Sequence, residues 1–155
     1  MAMSIATLSD DKLWELAHST ARTKTADFDV SVIPEALATA LTVEFVQGIV
    51  DNGGIEYLLG PDLPRGLEYS DCIRSFKLIE SWSCAEALSE VCKAFPGGAP
   101  SESSDSRQAA LARLLESQHQ LVDHASQVFR DASASNYAAA LRLLRARPEV
   151  FNAAA

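Results

Sequence analysis

An all-α fold of about seven helices, forming a single compact bundle or orthogonal array, is what this sequence predicts. Apolar residues recur at spacings of three and four while period-two alternation is scarce, which is the pattern of amphipathic helices. The chain has 155 residues, 48 % of them apolar, and a mean hydropathy of +0.02, enough for one core without disulfide or metal staples. No internal repeat of fixed period stands out, so a solenoid is not expected.

The elements follow in order. A first helix is expected from about Ser9 to Thr23. Ser9 or Asp10 is its N-cap, Asp11 and Glu15 suit its positive end, and Leu13, Leu16, Ala17 and Thr20 share one face with Trp14 beside them. "TADFDVSVI" then connects to a second helix whose first turn accepts Pro34, since the missing N–H has no partner there anyway. Leu37, Ala40, Leu41, Phe45, Gly48 and Ile49 form one face, and Val43, Val46 and Val50 extend the apolar surface past half the circumference. Such a helix belongs at the centre.

"DNGG" ends it. Asn52 or Gly53 is expected in the left-handed C-cap conformation, with the other glycine releasing the chain at a sharp angle. "GIEYLLG" supplies one or two turns before "GPDLPRG" interrupts regular structure. A helix is expected from about Leu67 to Glu80, with Tyr69, Cys72, Ile73, Phe76 and Ile79 inward. Ser83 and Glu86 have capping-box spacing for the next, which buries Cys84, Leu88, Val91 and Phe95 and stops at Pro96-Gly97-Gly98. Residues 96–106, "PGGAPSESSDS", have the composition of a mobile loop within one domain spanning 1–155. Helices follow over about Gln108 to His119, around Leu121 to Phe129, and over "NYAAALRLLRAR", which Pro148 halts.

Net charge is −8, with a sequence pI near 4.8, which disfavours direct binding to nucleic acid or an anionic membrane. Up to residue 105 there are 17 Asp or Glu against seven Lys or Arg; after it there are four against six. The opening "MAMSIATLSDDK" has neither the basic nor the apolar region of a signal peptide, and the apolar window 36–50 is broken by Glu44 and Gln47. A cytoplasmic protein is expected. Cys72, Cys84 and Cys92 contain no CxxC pair and read as reduced core residues.

Chemistry is sparse. His119 and Asp123 share a helical face without an accompanying ligand group, and there is no GxSxG turn, dinucleotide fingerprint or P-loop. Asp51 and Glu56 flank the glycine pair and would repel phosphate. No catalytic, cofactor or metal residue is assigned, and a non-enzymatic protein without cofactor is expected. The remaining signal is a set of carboxylates at Glu35, Glu44, Asp51, Glu56, Asp62, Glu68, Asp71, Glu86 and Glu90. They read either as a solvated surface or as an array offered to a basic partner.

A helix leading into Asn52-Gly53-Gly54 and an apolar residue, a helix pair ending in "FPGGAPS", then "LVDHASQVF" and "NYAAALRLLRARPEVF", resembles a bacterial family of domains of unknown function. Its described member is an acidic, all-helical, dimeric DNA-mimic protein. The likeness spans roughly Glu35 to Phe151, with Asn52, Gly53 and Gly54 as its most specific mark. Where that family tends to carry aromatics and a glutamine after the second glycine, this chain has Ile55, Glu56, Tyr57 and Leu58. The resemblance implies a homodimer whose carboxylates occupy the DNA-binding face of a transcription factor or other nucleic-acid-binding protein. Two readings stand beside it: a helical interaction or immunity-type protein with another partner, and a small-molecule-binding or hydrolytic protein with a site near the NGG turn.

Overall fold

A long apolar helix at the centre organises the molecule. The computed structural model describes residues 4–27 and 29–152; Phe28 of the expected connector and the first three residues of the stretch read for a leader lie outside them. Eight α-helices occur among the described residues: α1 (Asp10–Lys24), α2 (Glu35–Gly53), α3 (Glu56–Leu59), α4 (Tyr69–Leu78), α5 (Trp82–Lys93), α6 (Ser104–Ser117), α7 (His119–Asp131) and α8 (Ser133–Ala146). Short 3-10 helices cover Ile5–Thr7, Val30–Val32, Pro96–Gly98 and Pro148–Phe151. The all-α expectation holds, and no described helix is long and apolar enough to cross a membrane.

Helix α2 packs most extensively on α8 and also meets α1, α3, α4 and α7. Leu37, Ala40, Val43, Val46 and Val50 along it are fully buried, so its apolar circumference is used on several sides at once. Against it stand Leu13 and Ala17 of α1, Phe76 of α4, Phe129 of α7 and Leu144 of α8, while Leu88 of α5 joins the same core from behind α4 and α7. The Phe76 and Phe129 rings meet edge to face at 4.9 Å, the geometry favoured by their quadrupoles.

One polar network crosses this core. Gln47 is fully buried; its amide nitrogen donates to Asp51 Oδ1 at 2.7 Å and to the Phe129 carbonyl at 2.9 Å, and its oxygen accepts from Asn136 Nδ2 at 2.8 Å. Asn136 also donates to Cys84 Sγ at 3.4 Å. The network ties α2, α5, α7 and α8 in one register, and a buried amide so satisfied does not incur the desolvation cost of an orphan.

The helix ends hold the corrections. Ser9 caps α1 as expected, accepting from the Lys12 N–H. Pro34 sits one position before α2 rather than in its first turn. The Ser83–Glu86 capping box does not form, because α5 already begins at Trp82 and both residues lie inside it. Such a contact occurs instead at α4, where the Glu68 N–H donates to Asp71 Oδ2 at 2.9 Å. Helix α4 stops before Glu80, which takes φ 61° while the Ser81 N–H reaches the Phe76 carbonyl at 2.8 Å. This is a Schellman-type stop with glutamate where glycine usually sits.

Helix α6 starts at Ser104, inside the stretch expected to be a mobile loop. Its Arg107 is 3 % exposed, and Nη1 holds the Ser101 and Glu102 carbonyls at 2.9 and 3.4 Å. The same side chain donates from Nε to the Leu59 carbonyl at 3.0 Å and from Nη2 to the Gly60 carbonyl at 3.1 Å and Asp62 Oδ1 at 2.6 Å. One guanidinium therefore fastens the start of α6 to the end of α3.

Candidate interaction surface

The Asn52-Gly53-Gly54 corner is built differently from the sequence expectation. Asn52 and Gly53 remain helical, and Gly54 makes the turn, with φ 86° and ψ 173°. That region is essentially reserved for glycine. The Gly54 N–H still donates to the Val50 carbonyl at 2.9 Å, and Asn52 Nδ2 donates back to the Gly48 carbonyl at 2.8 Å. Ile55 is then fully buried, and its N–H donates to Ser126 Oγ on α7 at 2.9 Å. Gly53 has a separate task. A Cβ there would fall 2.0 Å from Tyr57 Cδ2, so the missing side chain is the space in which the Tyr57 ring lies.

Tyr57 is 62 % exposed and forms one wall of a groove of about 810 Å³. The floor is a stripe of α2, with Leu41, Phe45, Gly48, Ile49 and Asn52 at helical spacing. Pro61 and Pro64 of the α3–α4 connector and Tyr137 of α8 complete the walls. Tyr137 is braced by Trp14, whose ring stands edge-on at 6.5 Å. Two further lining residues, His18 and Glu44, are joined by a 2.6 Å hydrogen bond between Nε2 and Oε2. The Tyr137 hydroxyl has its pKa raised, first by burial and then by the charges of Asp51 and Glu44. Two carboxylates thus act electrostatically on this end of the groove.

The nine carboxylates read as a set have different surroundings. Glu35 is ion-paired with Arg74 at 3.0 Å, Asp62 with Arg107 at 2.6 Å and Glu90 with Lys93 at 3.1 Å, so these three carry a compensating cation. Asp51 accepts from Gln47 and, at 2.7 Å, from Ser133 Oγ, which joins α2 to α8. Asp71 closes the start of α4, and Glu68, at the same helix end, accepts from Ser70 Oγ at 3.4 Å. Glu86 is exposed on α5. Glu56 folds over the corner: a Cβ on Gly54 would come within 2.6 Å of its Oε2. Glu44 has company that the sequence does not reveal. Asp11 and Glu15 of α1 line with it a second, shallower depression of about 620 Å³, which also includes Trp14, His18 and Arg22.

A family model described as "DMP19-like protein" matches residues 31–147, from within the Val30–Val32 turn to the end of α8. The chain belongs to the DMP19-like family. No curated protein and no solved structure matches it. The DMP19-like span contains the NGG corner and the α2 floor of the groove, whereas Asp11, Glu15 and His18 lie on α1, outside it. In the sequence, Asp11 and Glu15 read only as charges suited to a helix start. Their i, i+4 spacing marked a common face, but nothing in the chain announced that Glu44, 29 positions beyond Glu15, would join it. The groove lies beside the NGG turn, where one of the readings above places a site, but its floor is hidden in the sequence because Phe45 and Ile49 read there as one buried face of α2.

Proposed function

We propose that this member of the DMP19-like family is a non-enzymatic protein that binds a basic protein surface. In this reading its acidic face occupies the DNA-binding face of a transcription factor or other nucleic-acid-binding protein. The observation that carries the reading is the convergence of Asp11, Glu15 and Glu44, from two helices, on one open depression where they outnumber its single arginine, Arg22, in a chain of net charge −8. Carboxylates four residues apart rise about 6 Å along a helix, against about 3.4 Å per phosphate along one DNA strand. Such a stripe presents roughly one charge for every second phosphate, enough to engage Lys and Arg side chains arranged for duplex DNA.

The test is recovery of partners on the immobilised protein from the native cytoplasm, resolved by salt. A DNA-binding protein released by rising salt and displaced by duplex DNA is expected. Its retention should fall on combining Asp11→Asn, Glu15→Gln and Glu44→Gln. A partner that binds alongside DNA, or that ignores the triple change, refutes the reading.

A further inference from the structure

We infer that the groove over α2 receives the apolar face of an amphipathic, basic helix of the partner, so that contact combines charge with a buried hydrophobic anchor. This deepens the function proposed above and rests on it. Three observations favour that occupant. The floor is apolar, with Phe45 and Ile49 left partly uncovered on a helix whose leucines and valines are all buried. Among its described lining residues there is no Lys or Arg, while Glu44 stands in the wall and Asp51 and Glu56 belong to the helices that bound it. The volume of about 810 Å³ admits several aliphatic side chains rather than one.

Charge complementarity therefore selects a segment with Leu-like residues on one face and Lys or Arg beside them, the helix-in-groove mode of recognition. The NGG corner then has a functional consequence. Gly54 turns the chain, and Gly53 lets Tyr57 lie back against α2, which sets the width of the groove mouth.

Gly48 provides the test. A Cβ at this position meets Tyr137 Oη at 3.6 Å, an ordinary contact, so Gly48→Met fills the floor while replacing a poor helix former with a good one. The probes are two synthetic 18-residue peptides of equal lysine content, one with leucine and one with alanine on the apolar face, titrated by fluorescence anisotropy at low and at physiological salt. Burying even one leucine predicts that the Leu/Lys peptide binds about tenfold or more tighter than the Ala/Lys peptide. Gly48→Met and Tyr57→Ala should erase that ratio without changing the circular-dichroism melt appreciably. The Asp11, Glu15 and Glu44 triple variant should weaken both peptides and flatten their salt dependence.

Equal binding of the two peptides, or a ratio that survives Gly48→Met, overturns the groove assignment and leaves the acidic-face reading standing. Failure of both peptides to bind removes both. A wild-type dimer in sedimentation that becomes monomeric with Gly48→Met assigns the groove to a second copy of this chain, which also overturns the proposal.

Discussion

Removing Arg107 is expected to be the most damaging single polar substitution outside the hydrophobic core, for a reason unrelated to its salt bridge. Its guanidinium is buried and donates to the carbonyls of Leu59, Gly60, Ser101 and Glu102 as well as to Asp62. In Arg107→Ala these carbonyls lose their donor. A buried acceptor left unsatisfied costs about 1–3 kcal/mol. Leu59 is the most enclosed of the four, whereas water can reach part of the others. Counting Leu59 in full and the rest in part gives about 4 kcal/mol, within the range of about 3–5 kcal/mol for breaking a buried charged interaction. For a domain of this size that lowers Tm by about 8–16 °C. Arg107→Lys offers one donor head in place of a planar fork and should lose about 2 kcal/mol. Asp62 is 74 % exposed at its side chain, so Asp62→Asn should cost no more than about 1 kcal/mol. Urea unfolding followed at 222 nm, with midpoints compared at constant m-value, measures all three. An Arg107→Ala protein within about 1 kcal/mol of wild type, or an Asp62→Asn change as large as Arg107→Ala, would show that the carbonyl clamp does not hold α3 to α6.

The other expectations concern single positions. Gly54→Ala should destabilise by about 1–3 kcal/mol because no other residue tolerates that φ and ψ, whereas Gly53→Ala should leave stability within about 1 kcal/mol, helix propensity gained offsetting the displaced Tyr57 ring; paired thermal melts followed by circular dichroism would reveal an inversion of that order. Glu80→Gly should stabilise the fold by about 1 kcal/mol by relieving the left-handed glutamate, raising Tm by about 2–4 °C, and an unchanged or lower Tm would discount the strain. Burial pushes the Cys72 and Cys92 thiols from 9.0 to about 12 and the Tyr69 hydroxyl from 10.0 to about 12. The folded chain keeps these protons where the unfolded chain releases them, so the associated stability is complete below about pH 9 and declines as pH rises to about 12. Urea midpoints that stay flat between about pH 8 and about pH 11, one below the ordinary thiol value of about 8.5 and one well above it, would contradict this.

What was legible in the sequence was whatever short-range periodicity decides. The centrality of α2 follows from Leu37 through Val50, and the inward faces of α4 and α5 follow from Cys72, Phe76, Cys84 and Leu88, because three- and four-residue spacing is itself the geometry of a helix face. Illegible features arose where two spans compete or meet. Ser83 and Glu86 have capping spacing, but α5 starts earlier, and the local signal is overruled by where α4 ends. Arg107 looked like one more charge in a mildly basic third. Only the fold brings the carbonyls of Leu59 and Ser101 to different nitrogens of its guanidinium. The carboxylates show the same limit: Glu35, Asp62 and Glu90 are alike in sequence to Glu86, yet the first three find a cation and Glu86 stands exposed.

The glycine corner joins these levels. Gly54 turns the chain and places Ile55 in the core, held by Ser126; Gly53 leaves room for Tyr57; and the following turn ends at Leu59 and Gly60, where Arg107 takes the carbonyls. The short α3 has only four residues, too few to stand on helix propensity alone, so its position depends on these tethers. A groove whose wall stands on such an element should widen when either tether is cut. Arg107→Lys, mild enough to leave a folded protein, should therefore weaken the Leu/Lys peptide more than the Ala/Lys peptide although Arg107 does not line the groove. Equal weakening of the two would mean that the Tyr57 wall is positioned by Gly53 and Ile55 alone.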